Sequence, residues 1–219
     1  MPRCAIFYLP LVFVFGLLGC ADPAANAPAA LVAAPIAVDE TDALDDADAV
    51  TYTISDDSKL TFVGSKVTGS HDGGFNEFDG VVVVANEDPT QAQITVNIDA
   101  TSIWADNERL TNHLKSADFF DIEKYPTAQF VSTKIEAAED GYIITGNLDL
   151  HGQSKSVEFP AQIEIDADVL TANADFSITR TDWGINYKGK PDDLIRERVV
   201  VRFEITAERG DAQAANEDA

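Results

Sequence analysis

Apolar and polar residues alternate along most of the chain between residues 59 and 206. The clearest stretch is the last, in which Val199, Val201, Phe203 and Ile205 fall on one face and Arg198, Arg202, Glu204 and Thr206 on the other. A period of two gives each β-strand one apolar face and one polar face. The pattern predicts eight strands, at about residues 59–67, 80–85, 94–98, 127–136, 142–150, 157–165, 170–178 and 199–205.

Short turns, such as Glu139-Asp140-Gly141, make neighbouring strands antiparallel. Eight one-sided strands must cover their apolar faces, and closing the sheet also removes its exposed edges. We therefore predict an all-β protein built as an eight-stranded antiparallel barrel. Such a barrel is either filled by its own side chains or holds one ligand, and the pattern leaves that choice open. Strand parity places nine apolar residues on the inner face: Phe62, Ile94, Val96, Phe130, Ile144, Phe159, Ile163, Phe176 and Phe203.

The alternation breaks near residues 102–120, where we predict a short helical insertion that covers one end of the barrel. Asp106 is a candidate N-cap for this helix. The paired aromatics Phe119 and Phe120 follow it and either belong to the core or close over a ligand. Three apolar residues share one helical face at spacings of seven and four: Ile103, Leu110 and Leu114.

The first residues are typical of a secretion signal. Arg3 precedes an apolar run over residues 5–18, which is short for a membrane span and is interrupted by Pro10. The run ends in Leu17-Leu18-Gly19-Cys20, which resembles a bacterial lipobox. That resemblance implies a signal peptide over residues 1–19 and a lipid-modified Cys20. We expect a membrane-anchored lipoprotein on the periplasmic side of the cell envelope, or a secreted protein if Cys20 is not lipidated.

Composition divides the rest of the chain into three parts. Residues 20–50 are rich in alanine, proline and acid, and we expect them to form a disordered tether between the anchor and the barrel. The barrel domain is predicted over residues 51–208, followed by a disordered acidic tail over residues 209–219. Thirty residues of coil reach about 30 Å on average, so such a tether would hold the domain away from the membrane.

The charge and cysteine content narrow the choice of partners. Lys and Arg number 15 against 38 Asp and Glu, for a formal net charge of −23. Nucleic-acid binding relies on basic residues that neutralise phosphates, so we expect no nucleic-acid partner. Both cysteines, Cys4 and Cys20, lie in the first twenty residues, which leaves no disulfide or thiolate site for the predicted barrel.

Candidate catalytic groups are few. His71, His113 and His151 are separated by 42 and 38 residues, which fits no local metal motif, although the fold could still bring them together. No nucleophile elbow or glycine-rich phosphate loop is present. Arg180 could meet an anionic headgroup, or it could fix its loop by pairing with Asp182. We expect no enzyme activity, no metal and no cofactor.

Three blocks of sequence, in order, resemble the YceI-like family of lipid-binding (polyisoprenoid-binding) proteins with a lipocalin-like barrel. They are residues 64–75 (GSKVTGSHDGGF), 113–130 (HLKSADFFDIEKYPTAQF) and 146–155 (GNLDLHGQSK). The resemblance covers residues 51–207 and implies a hollow barrel with an elongated apolar cavity. Leu110 and Thr111 depart from the family's frequent Arg-Asp pair, and Asp149 from a frequent threonine. These changes remove one charged pair that the resemblance would otherwise imply, and with it the basis for a headgroup contact there.

The resemblance implies a function as well as a fold. We expect extracytoplasmic binding, carriage or storage of a long isoprenoid lipid, of the polyprenyl phosphate or quinone type, in the barrel. His113, Phe119, Phe120 and Arg180 are candidates for headgroup contact or closure. The alternative is a tethered structural or interaction module with a filled barrel. The expected partners are the lipid and the membrane that holds the anchor, and a homodimer is also considered.

Overall fold

The computed structural model describes residues 22–37, 49–166 and 168–210. Cys20 and the whole of the predicted signal peptide over residues 1–19 lie outside these residues, as do residues 38–48 and residues 211–219 of the predicted tail. The regular elements are β1 (Leu31–Ala33), β2 (Val50–Ile54), β3 (Lys59–Lys66), β4 (Gly69–Phe75), β5 (Phe78–Val84), β6 (Ala92–Asp99), β7 (Ile103–Ala105), α1 (Glu108–Lys115), β8 (Thr127–Ala137), β9 (Tyr142–Leu150), β10 (Gln153–Asp166), β11 (Val169–Thr179), β12 (Gly189–Lys190), β13 (Asp193–Leu194) and β14 (Arg198–Arg209).

Eight of the described strands close a ring of backbone pairing. The order is β2-β5-β6-β8-β9-β10-β11-β14, and β14 returns to β2. Every one of these pairings is antiparallel, and β11 and β14 pair along the whole of β11. The prediction of an eight-stranded antiparallel barrel with one short helix is confirmed.

One end of the barrel carries a second group of strands, which we call the upper sheet and which consists of β3, β4 and β7. Strand β14 changes partner along its length, since Ala207–Arg209 pair with β2 whereas Val200–Glu204 pair with β3. Strand β4 then pairs with β3, and β7 pairs with β4. Helix α1 packs against β7, so the upper sheet and the helix lie at the same end of the barrel.

The prediction of a disordered tether is wrong over residues 22–37, because these residues dock on the barrel. Strand β1 pairs with β10, from Leu31 opposite Glu158 to Ala33 opposite Ser156. On its other side, the amide of Ala30 donates to the Ser177 carbonyl of β11 at 2.8 Å. Alanine-rich composition conceals this because the segment binds largely through its backbone, helped by a few small apolar side chains such as Ala24, Ala30 and Val32 that pack against the barrel.

This N-terminal segment fills a gap in the barrel wall. Strands β10 and β11 pair with each other only from Gln162 to Asp166 on β10, and beyond that point they separate. Residues 28–33 occupy the space between them, antiparallel to β10 and with a parallel bridge to β11. The backbone groups that the separation would leave without partners are thereby satisfied.

Glycines shape the upper sheet. Gly73 lies in β4 opposite Phe62 of β3, where an added Cβ would approach the Phe62 ring to 2.4 Å and the Trp104 carbonyl oxygen to 2.6 Å. Glycine is therefore required at position 73, because its neighbours leave no room for a Cβ. At the tip of the β9–β10 hairpin, His151 and Gly152 have φ values of 51° and 71°, which are typical of a two-residue type I′ turn.

We expect Gly73→Ala to lower the free energy of unfolding by about 1–3 kcal/mol, because Phe62 or the backbone of β7 must shift. Gly64→Ala on the neighbouring strand is the matched control, since its added Cβ meets nothing within 4 Å. That variant should leave stability unchanged or raise it by up to about 1 kcal/mol. Urea denaturation measures both, and equal effects would contradict the packing described for Gly73.

Candidate functional site

A cavity of about 400 Å³ runs inside the barrel. Its wall is almost entirely apolar and is formed by inward side chains of the barrel strands, the upper sheet and α1. The volume lies in the range found for small-molecule binding pockets, about 300–1,000 Å³. The barrel is therefore hollow, which argues against a filled barrel. All nine residues assigned inward by parity line this cavity: Phe62, Ile94, Val96, Phe130, Ile144, Phe159, Ile163, Phe176 and Phe203.

The cavity extends along a substantial length of the barrel. On β14, lining residues run from Val199 to Ile205, six steps of about 3.3 Å, or roughly 20 Å along the strand. Four phenylalanines cluster part-way along, where the rings of Phe159 and Phe176 stack with centroids 4.2 Å apart. Phe130 and Phe203 pack against Phe159 at 5.8 and 5.9 Å. These rings narrow the interior without dividing it.

At the end of the cavity away from the helix, the described residues pack closely together. There the first residues of β2 and β11 meet the last residues of β5 and β14. Four residues of this region are no more than 2% exposed: Tyr52, Val84, Leu170 and Ala207. Within the described residues, these buried side chains occupy this end of the barrel.

The opposite end is covered by α1 and the turn after it. Leu110 and Leu114 lie one helical turn apart, and both line the cavity. Phe119 and Phe120 line it as well, and Phe120 packs edge-on against Phe75 of β4 with centroids 5.8 Å apart. The paired aromatics thus form part of the cover of the cavity. At this position the same side chains can pack in the core and contact a ligand.

Two details of the insertion differ from the prediction. Ile103 belongs to β7 and not to the helix. Asn107 is the N-cap in place of Asp106, because its side chain accepts from the Leu110 amide. The Asp106 carboxylate is 2.8 Å from His71 Nδ1 and so joins the start of the helix to β4.

The mouth of the cavity lies between the β3–β4 hairpin and the loop that follows β11. Four lining residues have charged or titratable side chains, and all four come from these elements: Lys66, His71, Arg180 and Arg196. The side chains of Lys66 and His71 are 36% and 41% exposed, so the cavity reaches solvent beside them. Lys66 also pairs with Asp193 at 2.5 Å; this contact and one from Thr68 hold the pKa of the Asp193 carboxyl below its ordinary value.

Arg180 fixes the loop, but not through Asp182 as predicted. Its guanidinium is buried and donates to four backbone carbonyls, those of Ile185, Tyr187, Ile195 and Arg196. Burial lowers the pKa of the Arg180 guanidinium from its ordinary value, and the charge of Glu197 acts in the opposite direction. Because its donors are directed at the loop, Arg180 is placed to hold the rim of the mouth in shape.

The three histidines do not converge. His71 pairs with Asp106, as described above, and His151 Nδ1 lies 3.0 Å from the Trp183 carbonyl. His113 Nε2 lies 3.0 Å from Asp118, and its ring packs edge-on against Phe119. His113 is not a lining residue; it supports Phe119 from outside. Within residues 22–37, 49–166 and 168–210, no group of three or more His, Cys, Asp or Glu could hold a metal ion.

Parity reasoning missed the lining contributed by β4. Phe75 and His71 face the cavity together with Phe62 and Gly64 of β3. The glycine-rich sequence of β4 resembles a turn, and we did not predict a strand there. A usable signal was present, because His71, Gly73 and Phe75 alternate with a period of two.

Residues 52–207 match the family model described as the YceI-like domain. The chain belongs to this family. The chain is 36% identical to UPF0312 proteins of Pseudomonas putida and Pectobacterium atrosepticum over 120 and 91 residues, which are 52% and 42% of this chain. It spans 62% and 47% of the length of these curated relatives. The resemblance found in the sequence is confirmed.

Solved structures show the same YceI-like fold at lower sequence identity. BcnA of Burkholderia cenocepacia superimposes with a TM-score of 0.63 at 23% identity, covering 68% of this chain and 96% of that one. A domain from Saccharophagus degradans, described as polyisoprenoid binding and implicated in plant cell wall breakdown, gives 0.59 at 17% identity and covers 73% and 98%. At these identities the likeness concerns the fold. In the described part of the chain, no helix is long and apolar enough to cross a membrane.

We expect Arg180→Lys to lower the free energy of unfolding by about 1–3 kcal/mol, because an ammonium cannot reproduce the fork that serves several carbonyls. Arg202→Lys is the matched control, since Arg202 pairs with Asp175 on the exposed face. Its effect should stay within about 0.5 kcal/mol. Thermal and urea unfolding provide the measurement, and equal stability of the two variants would contradict a locking role for Arg180.

Proposed function

We propose that this YceI-like protein binds a long-chain isoprenoid lipid, of the polyprenyl phosphate or quinone type, and carries or stores it. The observation that carries the proposal is the continuous apolar cavity inside a closed barrel. An elongated apolar wall suits a hydrocarbon chain and offers little to a polar ligand. The polyisoprenoid-binding description of the related Saccharophagus degradans domain supports the same ligand class.

Burial of the tail provides the free energy of binding. At about 0.8 kcal/mol for each buried methylene-sized unit, a forty-carbon tail would give roughly 30 kcal/mol if all of it were buried. Non-covalent affinities saturate near 18–21 kcal/mol, so the remainder is offset by ordering of the chain and displacement of the cavity's previous contents. We therefore expect tight binding and slow release. Such kinetics suit a carrier or a store.

The proposed lipid enters with its tail first and leaves its headgroup at the mouth. A polar headgroup has no partner along the apolar wall, whereas Lys66 and His71 stand at the point where the cavity reaches solvent. Arg180 directs its donors to the loop, so we assign it the support of the rim. Phe119 and Phe120 cover the inserted tail next to α1.

A binding role without catalysis follows from the same wall. Hydrolysis or group transfer requires nucleophiles, bases or oxyanion donors aimed at the reacting atoms. The groups that line most of this cavity are alkyl and phenyl side chains, which supply none of these. We accordingly propose a carrier and not an enzyme.

The proposed location is the periplasmic side of the cell envelope, with the protein held to a membrane by acyl chains on Cys20. The lipobox-like sequence before Cys20 supports this proposal. Stable anchoring needs two or more lipid chains or an additional membrane signal, which a modified N-terminal cysteine would supply. The intact mass of the protein isolated from the membrane fraction tests it, since modification adds acyl mass to a chain that begins at Cys20.

Protein purified without detergent is expected to contain an isoprenoid lipid in nearly equimolar amount. The slow release expected for a buried tail should preserve the lipid through purification. Organic extraction followed by mass spectrometry measures it. Recovery of no lipid, or of a mixture of ordinary fatty acids, would contradict the proposed ligand class.

We expect Val96→Trp to abolish lipid retention, because the larger side chain fills the cavity at a lining position. Val81→Trp on the paired strand β5 is the control, since Val81 is 38% exposed on the outer face. Both variants should be purified, checked for cooperative unfolding and extracted in parallel. Equal retention by the two folded variants would mean that the ligand does not occupy the barrel.

A further inference from the structure

The N-terminal segment enters the barrel beside the mouth of the cavity. Ala24 is fully buried and packs with Val63 of β3 and Val200 of β14 on the outer face of the upper sheet. Two residues earlier, Asp22 lies 3.5 Å from Arg196, whose amide donates to the Ser65 carbonyl. From Ala24 to Asp22 the chain thus advances along the sheet towards the tip of the β3–β4 hairpin.

The segment is held along its length, which fixes the place where it enters. Besides the pairing of β1 with β10, the Asn147 side chain exchanges two hydrogen bonds with the backbone of Ile36, at 2.7 and 2.9 Å. Arg198 donates to the Ala27 carbonyl at 3.2 Å. These contacts join the segment to β9, β10 and β14, so Asp22 has a defined position on the barrel.

Cys20 precedes Asp22 by two residues. A fully extended chain covers at most about 3.6 Å per residue, so Cys20 lies within about 7 Å of that position. A flexible tether of thirty residues would have allowed the barrel any orientation, whereas a connection of two residues does not. If Cys20 carries acyl chains, the end of the barrel that bears the mouth must lie at the membrane surface.

The surface at that end is suited to contact with a bilayer. Val67, at the hairpin tip, and Leu194 are 55% and 49% exposed, and the Val67 amide donates to the Leu194 carbonyl at 3.2 Å. Exposed Lys188 and Lys190 and the acidic Asp192 belong to the adjoining loop. We call the surface formed by Val67, Leu194, Lys188 and Lys190 the mouth face. Lys188 and Lys190 lie in the same loop as Asp192, and Asp193 pairs with Lys66, so the acids of this loop are matched by lysines, which reduces repulsion by anionic lipids.

We propose that the mouth face rests on the phospholipid bilayer that holds the acyl chains of Cys20, so that the isoprenoid lipid passes between membrane and cavity without crossing bulk water. This inference rests on the lipidation and lipid binding proposed above. Its physical basis is the short connection from Cys20 to a docked segment that enters beside the mouth. The exposed Val67 and Leu194 side chains then insert among the headgroups.

The test uses the full-length lipidated protein reconstituted into phosphatidylethanolamine–phosphatidylglycerol vesicles. Val67→Cys and Leu194→Cys place an environment-sensitive fluorophore on the mouth face, and Ala138→Cys places it at the opposite end, after β8. Acylation blocks the Cys20 thiol, so each introduced cysteine is labelled alone. Spin-labelled phospholipids then quench fluorophores that touch the bilayer.

We expect several-fold stronger quenching at positions 67 and 194 than at position 138. Insertion of twenty glycine and serine residues between Ala21 and Asp22 should remove most of this difference, because such a linker reaches about 25 Å. Equal quenching at the three positions would overturn the proposed docking while leaving the anchor intact. Selective quenching that the insertion leaves unchanged would overturn the short connection from Cys20 as the cause of the docking.

Flotation of the vesicles separates failure of the anchor from failure of the docking. Protein that floats with the vesicles through Cys20, and is lost from them in Cys20→Ser, supports the anchor. Protein that does not float overturns the anchor and the docking together. Protein that floats and retains its isoprenoid lipid, but lacks selective quenching, overturns the docking alone.

Discussion

Closure of the sheet is the constraint on which the rest of the structure depends. Once β14 returns to β2, eight paired strands enclose one interior space, and the upper sheet and α1 continue its wall at one end. Closure is incomplete where β10 and β11 separate, and residues 28–33 complete it. A barrel with that gap would expose unpaired backbone groups and the apolar interior together, so the N-terminal segment is part of the wall.

A closed barrel is hollow only if its inward side chains leave space. Small residues occupy several inward positions, among them Gly64, Ala92, Ala128 and Ala172. Phenylalanines on β8, β10, β11 and β14 pack against one another and narrow the interior. Small positions between large rings produce a channel with an apolar wall. An apolar chain can replace whatever fills such a channel at little polar cost.

Features that depend on the pattern of side chains were predicted from the sequence, whereas features that depend on backbone contacts were not. The inner face of the barrel depends on a period of two, and parity placed Phe62, Ile144 and Phe203 on the cavity wall correctly. The docking of residues 22–37 depends on backbone pairing with the free edges of β10 and β11, which leaves no pattern in an alanine-rich segment. The partners of Arg180 are backbone carbonyls of a loop. Every residue has such a carbonyl, so no residue type in the sequence could identify these partners. The helix cap was missed by one residue, because Asp106 and Asn107 are both good caps.

The central claim is that the space inside the barrel belongs to a lipid chain. The most direct measurement is the electron density inside the barrel in crystals of protein purified without detergent. The account predicts one continuous ridge of density, with methyl branches at regular intervals, that begins near Leu170 and ends beside Lys66 and His71, at an occupancy close to one. Ordered water along the axis, or inward collapse of Phe62 and Phe176 to fill the space, would contradict it.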